Sequence, residues 1–106
     1  MINVNDYIKL LLKKKKWSNK QLCEELNKIE AKLGDSRTTP QNITNYLNGQ
    51  HNIRPKWLAK VEVALNLPQN TLISMVNAPA TKEAKKELNE LIKKAREVKG
   101  YNAKKN

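Results

Sequence analysis

Thr39-Pro40-Gln41-Asn42-Ile43-Thr44-Asn45-Tyr46-Leu47-Asn48-Gly49 is the stretch on which the reading of this 106-residue chain turns. A threonine followed by proline is the N-cap and first-turn pairing that opens a helix. Gly49 is the kind of residue that closes one. Between them only Ile43, Tyr46 and Leu47 are apolar, at spacings that put them on one helical face. The rest of the surface is amides and hydroxyls, although Asn and Thr are poor helix formers. A helix that gives up intrinsic stability in this way serves something other than the core.

Working outward, every periodic segment is helical, and runs of alternating β-branched residues are missing. Upstream, Ser18 and Gln21 form a capping box with Trp17 in the staple position before it. Leu22, Cys23, Leu26, Ile29 and Leu33 continue the apolar stripe as far as Gly34, which predicts a helix of about four turns. A polar turn, Asp35-Ser36-Arg37-Thr38, separates it from the amide-rich helix. Further upstream, Val4, Tyr7, Ile8, Leu11 and Leu12 mark a first helix near Asn5 to Lys16. Its closing lysines, Lys13–Lys16, complement the negative end of the helix dipole. Downstream, Pro55 opens a helix to about Leu65 whose stripe is Trp57, Leu58, Val61, Ala64 and Leu65. Asn66 ends it, and Asn70 is expected to cap a short fifth helix through Val76. Asn77-Ala78-Pro79-Ala80 reads as a linker. Beyond it Thr81 caps a charged helix, Lys82 to Lys99, ended by Gly100. The expected fold is all-α: a five-helix domain over 1–77, a C-terminal amphipathic helix over 81–100, and a frayed tail over 101–106.

Composition narrows the function classes. Lys and Arg total 21 against 10 Asp and Glu, a formal net charge of +11. Of these cations 18 are Lys, which with 14 Asn points more to an A/T-rich coding sequence than to a mechanism. The surplus is still a physical field that attracts polyanions, and nucleic acid is the first polyanion to consider in a cytoplasm. The longest apolar run, Leu10–Leu12, is far short of a membrane span. With no signal-peptide pattern at the N-terminus, the expected location is cytoplasmic, bacterial and nucleoid-associated. One Cys and one His exclude an intrachain disulfide and a Cys/His zinc cage, so no metal or cofactor is expected. Cys23 lies on a core stripe and reads as a small buried hydrophobe. His51 reads as a surface or phosphate-side residue. Glu24-Glu25 and Glu30 read as the polar face of a helix, without a His or nucleophile at matching spacing, and three glycines cannot build a phosphate loop. An enzyme is not expected.

Two consecutive helices, the second amide-rich and opened by a threonine cap, form the arrangement of a helix-turn-helix reader. A primary amide offers a donor and an acceptor on one plane, matching the N6/N7 edge of adenine in the major groove. Residues in the first turns of a recognition helix reach deepest, here Pro40, Gln41, Asn42, Thr44 and Asn45. The segments Trp17-Ser18-Asn19-Lys20-Gln21-Leu22, Ser36 to Gly49, Arg54-Pro55-Lys56-Trp57-Leu58 and Ala64-Leu65-Asn66-Leu67-Pro68 together resemble the Cro/CI-repressor (XRE) helix-turn-helix family over about Asn5 to Val76. The ending Ile43-x-x-Tyr46-Leu47-Asn48-Gly49 is the most specific part. The resemblance implies base contacts from Gln41, Asn42 and Asn45, with Pro40 against a thymine methyl. It implies phosphate contacts from Thr39, Asn48, Arg54 and Gln21, and core roles for Ile43 and Leu47; Ser18, Arg37, Thr38 and Lys56 are further expected phosphate contacts. It also implies a DNA-binding transcriptional regulator, a repressor of a phage, plasmid or other mobile element, on a pseudo-palindromic operator. One departure stands out. Cys23 to Ile43 is twenty residues, where the family's motif has about ten.

The last helix needs its own account. Ala84, Leu88, Leu91, Ala95 and Val98 are spaced 4, 3, 4 and 3, a heptad seam with Ile92 beside it. Such a stripe either folds back on the domain or pairs with a second copy. The homodimer reading assigns Leu88, Leu91, Ile92, Ala95 and Val98 to dimerisation. The alternative to a dedicated regulator is an antitoxin-like component that binds a protein partner through this helix and DNA only for autoregulation.

Overall fold

The computed structural model describes residues 2–76 and 80–98, and every regular element within them is helical. The order is α1 (Val4–Lys15), α2 (Asn19–Leu33), α3 (Pro40–Leu47), α4 (Pro55–Ala64), a single 3-10 turn at Ile73–Met75, and α5 (Lys82–Val98). The all-α class read from the sequence is the class observed. No helix among the described residues is long and apolar enough to cross a membrane.

Local chemistry sets the helix ends. Asn3 caps α1 by accepting the Asp6 amide at 2.9 Å. The helix closes on Lys16, which takes a left-handed φ of 60°. There the amides of Lys16 and Trp17 turn back to the carbonyls of Lys13 and Leu12. Ser18 and Gln21 form the reciprocal capping box that starts α2, and Gly34 ends it at φ 76°. At the end of α4 the Asn66 and Leu67 amides return to Val63 and Glu62, with Asn66 left-handed at φ 59°.

Helix α4 is the centre of the molecule. Every residue from Trp57 to Leu65 is buried, on all sides of the helix rather than along one stripe. That is the pattern of a helix enclosed by its neighbours. Helices α2 and α5 pack on it, α3 packs on α2, and α1 packs on α3. Ile8, Leu22, Leu26, Ile43, Leu58, Leu72 and Ile92 are among the side chains fully removed from solvent.

Three expectations are corrected here. The short fifth helix from Asn70 to Val76 is instead one 3-10 turn, and the Asn70 side chain does not start it. Asn70 itself is left-handed at φ 71°. The carboxylate of the fully buried Glu62 on α4 takes the amides of Leu72 (2.6 Å), Ile73 (2.9 Å) and Asn70 (3.1 Å). With those donors already satisfied, nothing drives the segment into a longer helix.

The heptad seam of α5 faces its own chain. Leu88, Ile92 and Ala95 are buried against α4 and α2, and Leu91 and Val98 are half-buried. The dimerisation role given to Leu88, Leu91, Ile92, Ala95 and Val98 therefore fails for the three residues at the heart of the seam. For the same reason 81–98 is part of the one core and not an appendage. Residues 77–79 of the expected linker, 99–100 and the tail 101–106 lie outside the described residues.

The third correction concerns Glu30, expected on a solvated face. It is 1% exposed and sits inside the protein beside Lys60.

Candidate nucleic-acid interface

About half of the twenty residues from Cys23 to Ile43 continue α2, and the advance of that helix is undone by the loop that follows. Ten residues of helix advance about 15 Å, and the loop 34–39 spans up to roughly 20 Å when extended. It runs back along α2. At its end the Thr38 carbonyl accepts from Cys23 Sγ at 3.1 Å, a residue in the second turn of α2. Helix α3 thus begins beside the early turns of α2.

A buried polar cluster fixes that return. Glu30 Oε1 accepts the Thr38 amide at 2.8 Å, and Glu30 Oε2 accepts the Thr38 hydroxyl at 2.6 Å. Trp57 Nε1 of α4 donates to Thr38 Oγ1 at 3.3 Å. Lys60 Nζ, also from α4, reaches Glu30 Oε2 at 2.7 Å and Asp35 Oδ2 at 3.5 Å. A paired, fully hydrogen-bonded ion pair is the form in which buried charge is tolerated. Thr38 is correspondingly buried, and both its amide and its hydroxyl have partners. The phosphate contact expected of Thr38 is corrected on that ground.

Helix α3 itself is held on its inner face by Ile43 and Leu47, both buried. From α1, Asn5 Nδ2 donates to the Tyr46 carbonyl at 3.0 Å. Tyr46 lies at 4.4 Å, ring centre to ring centre, from the core Trp57. The N-terminus of α3 carries a second reciprocal box. Thr39 Oγ1 accepts the Asn42 amide at 3.1 Å, and Asn42 Oδ1 accepts the Thr39 amide at 3.0 Å. That box engages the carbonyl end of the half-buried Asn42 and leaves its Nδ2 outside the box.

The outward face carries the other expected readers. Pro40 and Gln41 are exposed, and Thr44 and Asn45 half-buried. The Thr44 hydroxyl donates to the Pro40 carbonyl at 3.1 Å. Gln41 Nε2 donates to Asn45 Oδ1 at 3.0 Å. Asn45 Nδ2 in turn lies 3.3 Å from His51 Nε2. The His51 link was not legible in the sequence, where the residue stands in a loop six positions further on.

The other expected phosphate contacts are on the surface. Arg54 is exposed and makes no side-chain cap bond to α4, which it precedes. Arg37, Thr39 and Asn48 are exposed as well. In the box of α2, Gln21 Oε1 accepts the Ser18 amide and Ser18 Oγ accepts the Gln21 amide, so Gln21 Nε2 is the outward donor there. Lys56 is exposed and pairs with Glu87 at 3.2 Å, a surface contact worth little that leaves the ammonium available to another anion. Comparison of the chain with family models, with characterised proteins and with solved structures gives no match.

Proposed function

We propose that the chain is a sequence-specific DNA-binding regulator of transcription, of the Cro/CI-repressor-like kind, that represses by occupying a promoter. The observation that carries this is the face of α3. Its inner side is fixed by Ile43, Leu47 and the Tyr46–Trp57 contact, while its outer side offers Gln41, Asn42 and Asn45. A chain with a net charge of +11 that bound by charge alone would place lysine on that face. Amides there suit base edges instead.

The surrounding groups suit the backbone of the same duplex. Arg37, Arg54, Lys56 and the Gln21 amide would fix register, and Gln41 and Asn45 would read it. The chain's extents of 32 × 31 × 26 Å are shorter than one helical turn of DNA, about 34–36 Å. Two copies can therefore occupy successive major grooves on one side of a pseudo-palindrome. Pairing between them would use a surface other than the Leu88–Ile92–Ala95 seam.

The test is selection from a randomised duplex library at two salt concentrations, with sequencing of the bound pool. A two-fold-symmetric consensus that survives the higher salt is the expected result. A bound pool without enrichment, whose binding collapses with salt, would overturn the reading.

A further inference from the structure

We infer that His51 is a specificity-determining residue: through Asn45 it fixes which hydrogen-bonding ends of Gln41 face the DNA, and it sets that position to adenine. The inference rests on the DNA-reading function proposed above. Gln41, Asn45 and His51 form one chain of polar contacts, and each link constrains the next. Gln41 Nε2 can only donate, so it takes Asn45 Oδ1 at 3.0 Å. That turns Asn45 Nδ2, also a donor only, toward His51 Nε2 at 3.3 Å. In this arrangement His51 Nε2 stands as the acceptor of the Asn45 amide.

The ring is positioned from the core outward. Its centre lies 6.2 Å from that of Tyr46, edge to face at 70°, and Tyr46 rests 4.4 Å from the buried Trp57. An acceptor held in this way orients the Asn45 amide, and Asn45 orients Gln41. Gln41 is then left with one N–H and its whole Oε1. One donor beside one acceptor is the complement of adenine N7 and N6–H. Were Asn45 reversed, its Nδ2 would face Gln41 Oε1. Gln41 would then offer two N–H groups, the complement of the two acceptors of guanine, O6 and N7.

The experiment compares library-selected consensus sequences and competition affinities for wild type, His51→Ala, and His51→Ala combined with Asn45→Asp. His51→Ala removes the acceptor and frees the amide. Adenine-over-guanine preference at a single position per half-site should fall from roughly tenfold or more to about two-fold, with the rest of the consensus intact. A carboxylate at 45 accepts from Gln41 Nε2 whichever way it is turned. The double variant should therefore regain the adenine preference, at lower overall affinity. Thermal melting of each variant shows that the fold is intact.

His51→Ala with an unchanged adenine preference would overturn the inference and leave the DNA-reading function standing. Loss of preference at all positions together, with a lowered melting temperature, would also overturn it, because His51 would then act only on the fold. A wild-type pool without any consensus would overturn both.

Discussion

Glu62 and Glu30 are the two acidic residues inside the protein, among those described, and each organises backbone that arrives later in the chain. Glu62 collects the amides of Asn70, Leu72 and Ile73, two of them on residues of the core. Glu62→Ala orphans those donors, and an unsatisfied buried amide costs about 1–3 kcal/mol. A loss of roughly 3–5 kcal/mol in urea unfolding is expected, while Glu62→Gln, which keeps the volume and one oxygen, should cost about 1–2 kcal/mol. An alanine variant as stable as the wild type would refute the assignment. Glu30→Ala strands both the Thr38 amide and the Lys60 ammonium, and removal of one buried partner typically costs about 3–5 kcal/mol. Glu30→Leu with Lys60→Met should recover much of that, since a well-packed apolar pair replaces a buried ion pair at little cost. Neither carboxylate was legible in the sequence. A helical pattern scores Glu as solvent-facing, and the partners of these two are backbone amides eight to eleven residues away and, for Glu30, the Thr38 hydroxyl and the distant Lys60, which no helical pattern records.

The helices themselves were legible because their ends are written in side chains. Ser18 with Gln21 and Thr39 accept the amides that a helix start leaves open, and both were read as caps, whereas the Asn3 cap and the Asn42 half of the second box emerge only in the structure. Gly34 supplies the left-handed turn that ends α2. What each helix packs against was less legible. The 4-3-4-3 stripe of α5 states that one face is covered, and the same stripe serves a partner chain or the chain's own core equally well. Leu88, Ile92 and Ala95 lie against α4 and α2, so their truncation acts on folding. Ile92→Ala should cost about 2–5 kcal/mol of stability. The decisive feature is that the cost is independent of protein concentration across a wide dilution series, because an interface between copies would make it concentration-dependent. The amide-rich face of α3 was legible too, as an excess of poor helix formers in a well-capped helix. Its wiring to His51 was not, since the link crosses from the helix to the loop that follows it.

At the scale of the whole molecule, the proposed function places affinity and selectivity on different surfaces. The net charge of +11 is carried chiefly by exposed lysines, and Lys13, Lys14, Lys15 and Lys16 crowd the end of α1. That end lies about 12–15 Å along the helix from Asn5, the residue that grips α3, and leads directly into the Ser18–Gln21 box of α2. On the proposed function, phosphates flanking the groove entered by α3 would lie within its range. Neutralising Lys13–Lys16 to Gln should weaken binding to every duplex alike and lower the slope of log affinity against log salt by about 0.9 for each phosphate that these lysines neutralise. Gln41→Ala should behave in the opposite way. It should leave the salt slope unchanged and cost about 1–3 kcal/mol of discrimination at one base pair. Titrations of a selected and a scrambled duplex at four or more salt concentrations measure both quantities at once. A loss of base preference from the lysine changes, or a changed salt slope from Gln41→Ala, would show that the two surfaces are not separate. Their separation is expected on the proposed function, because the lysines sit at the end of α1 away from Asn5, the residue that binds the Tyr46 carbonyl of α3.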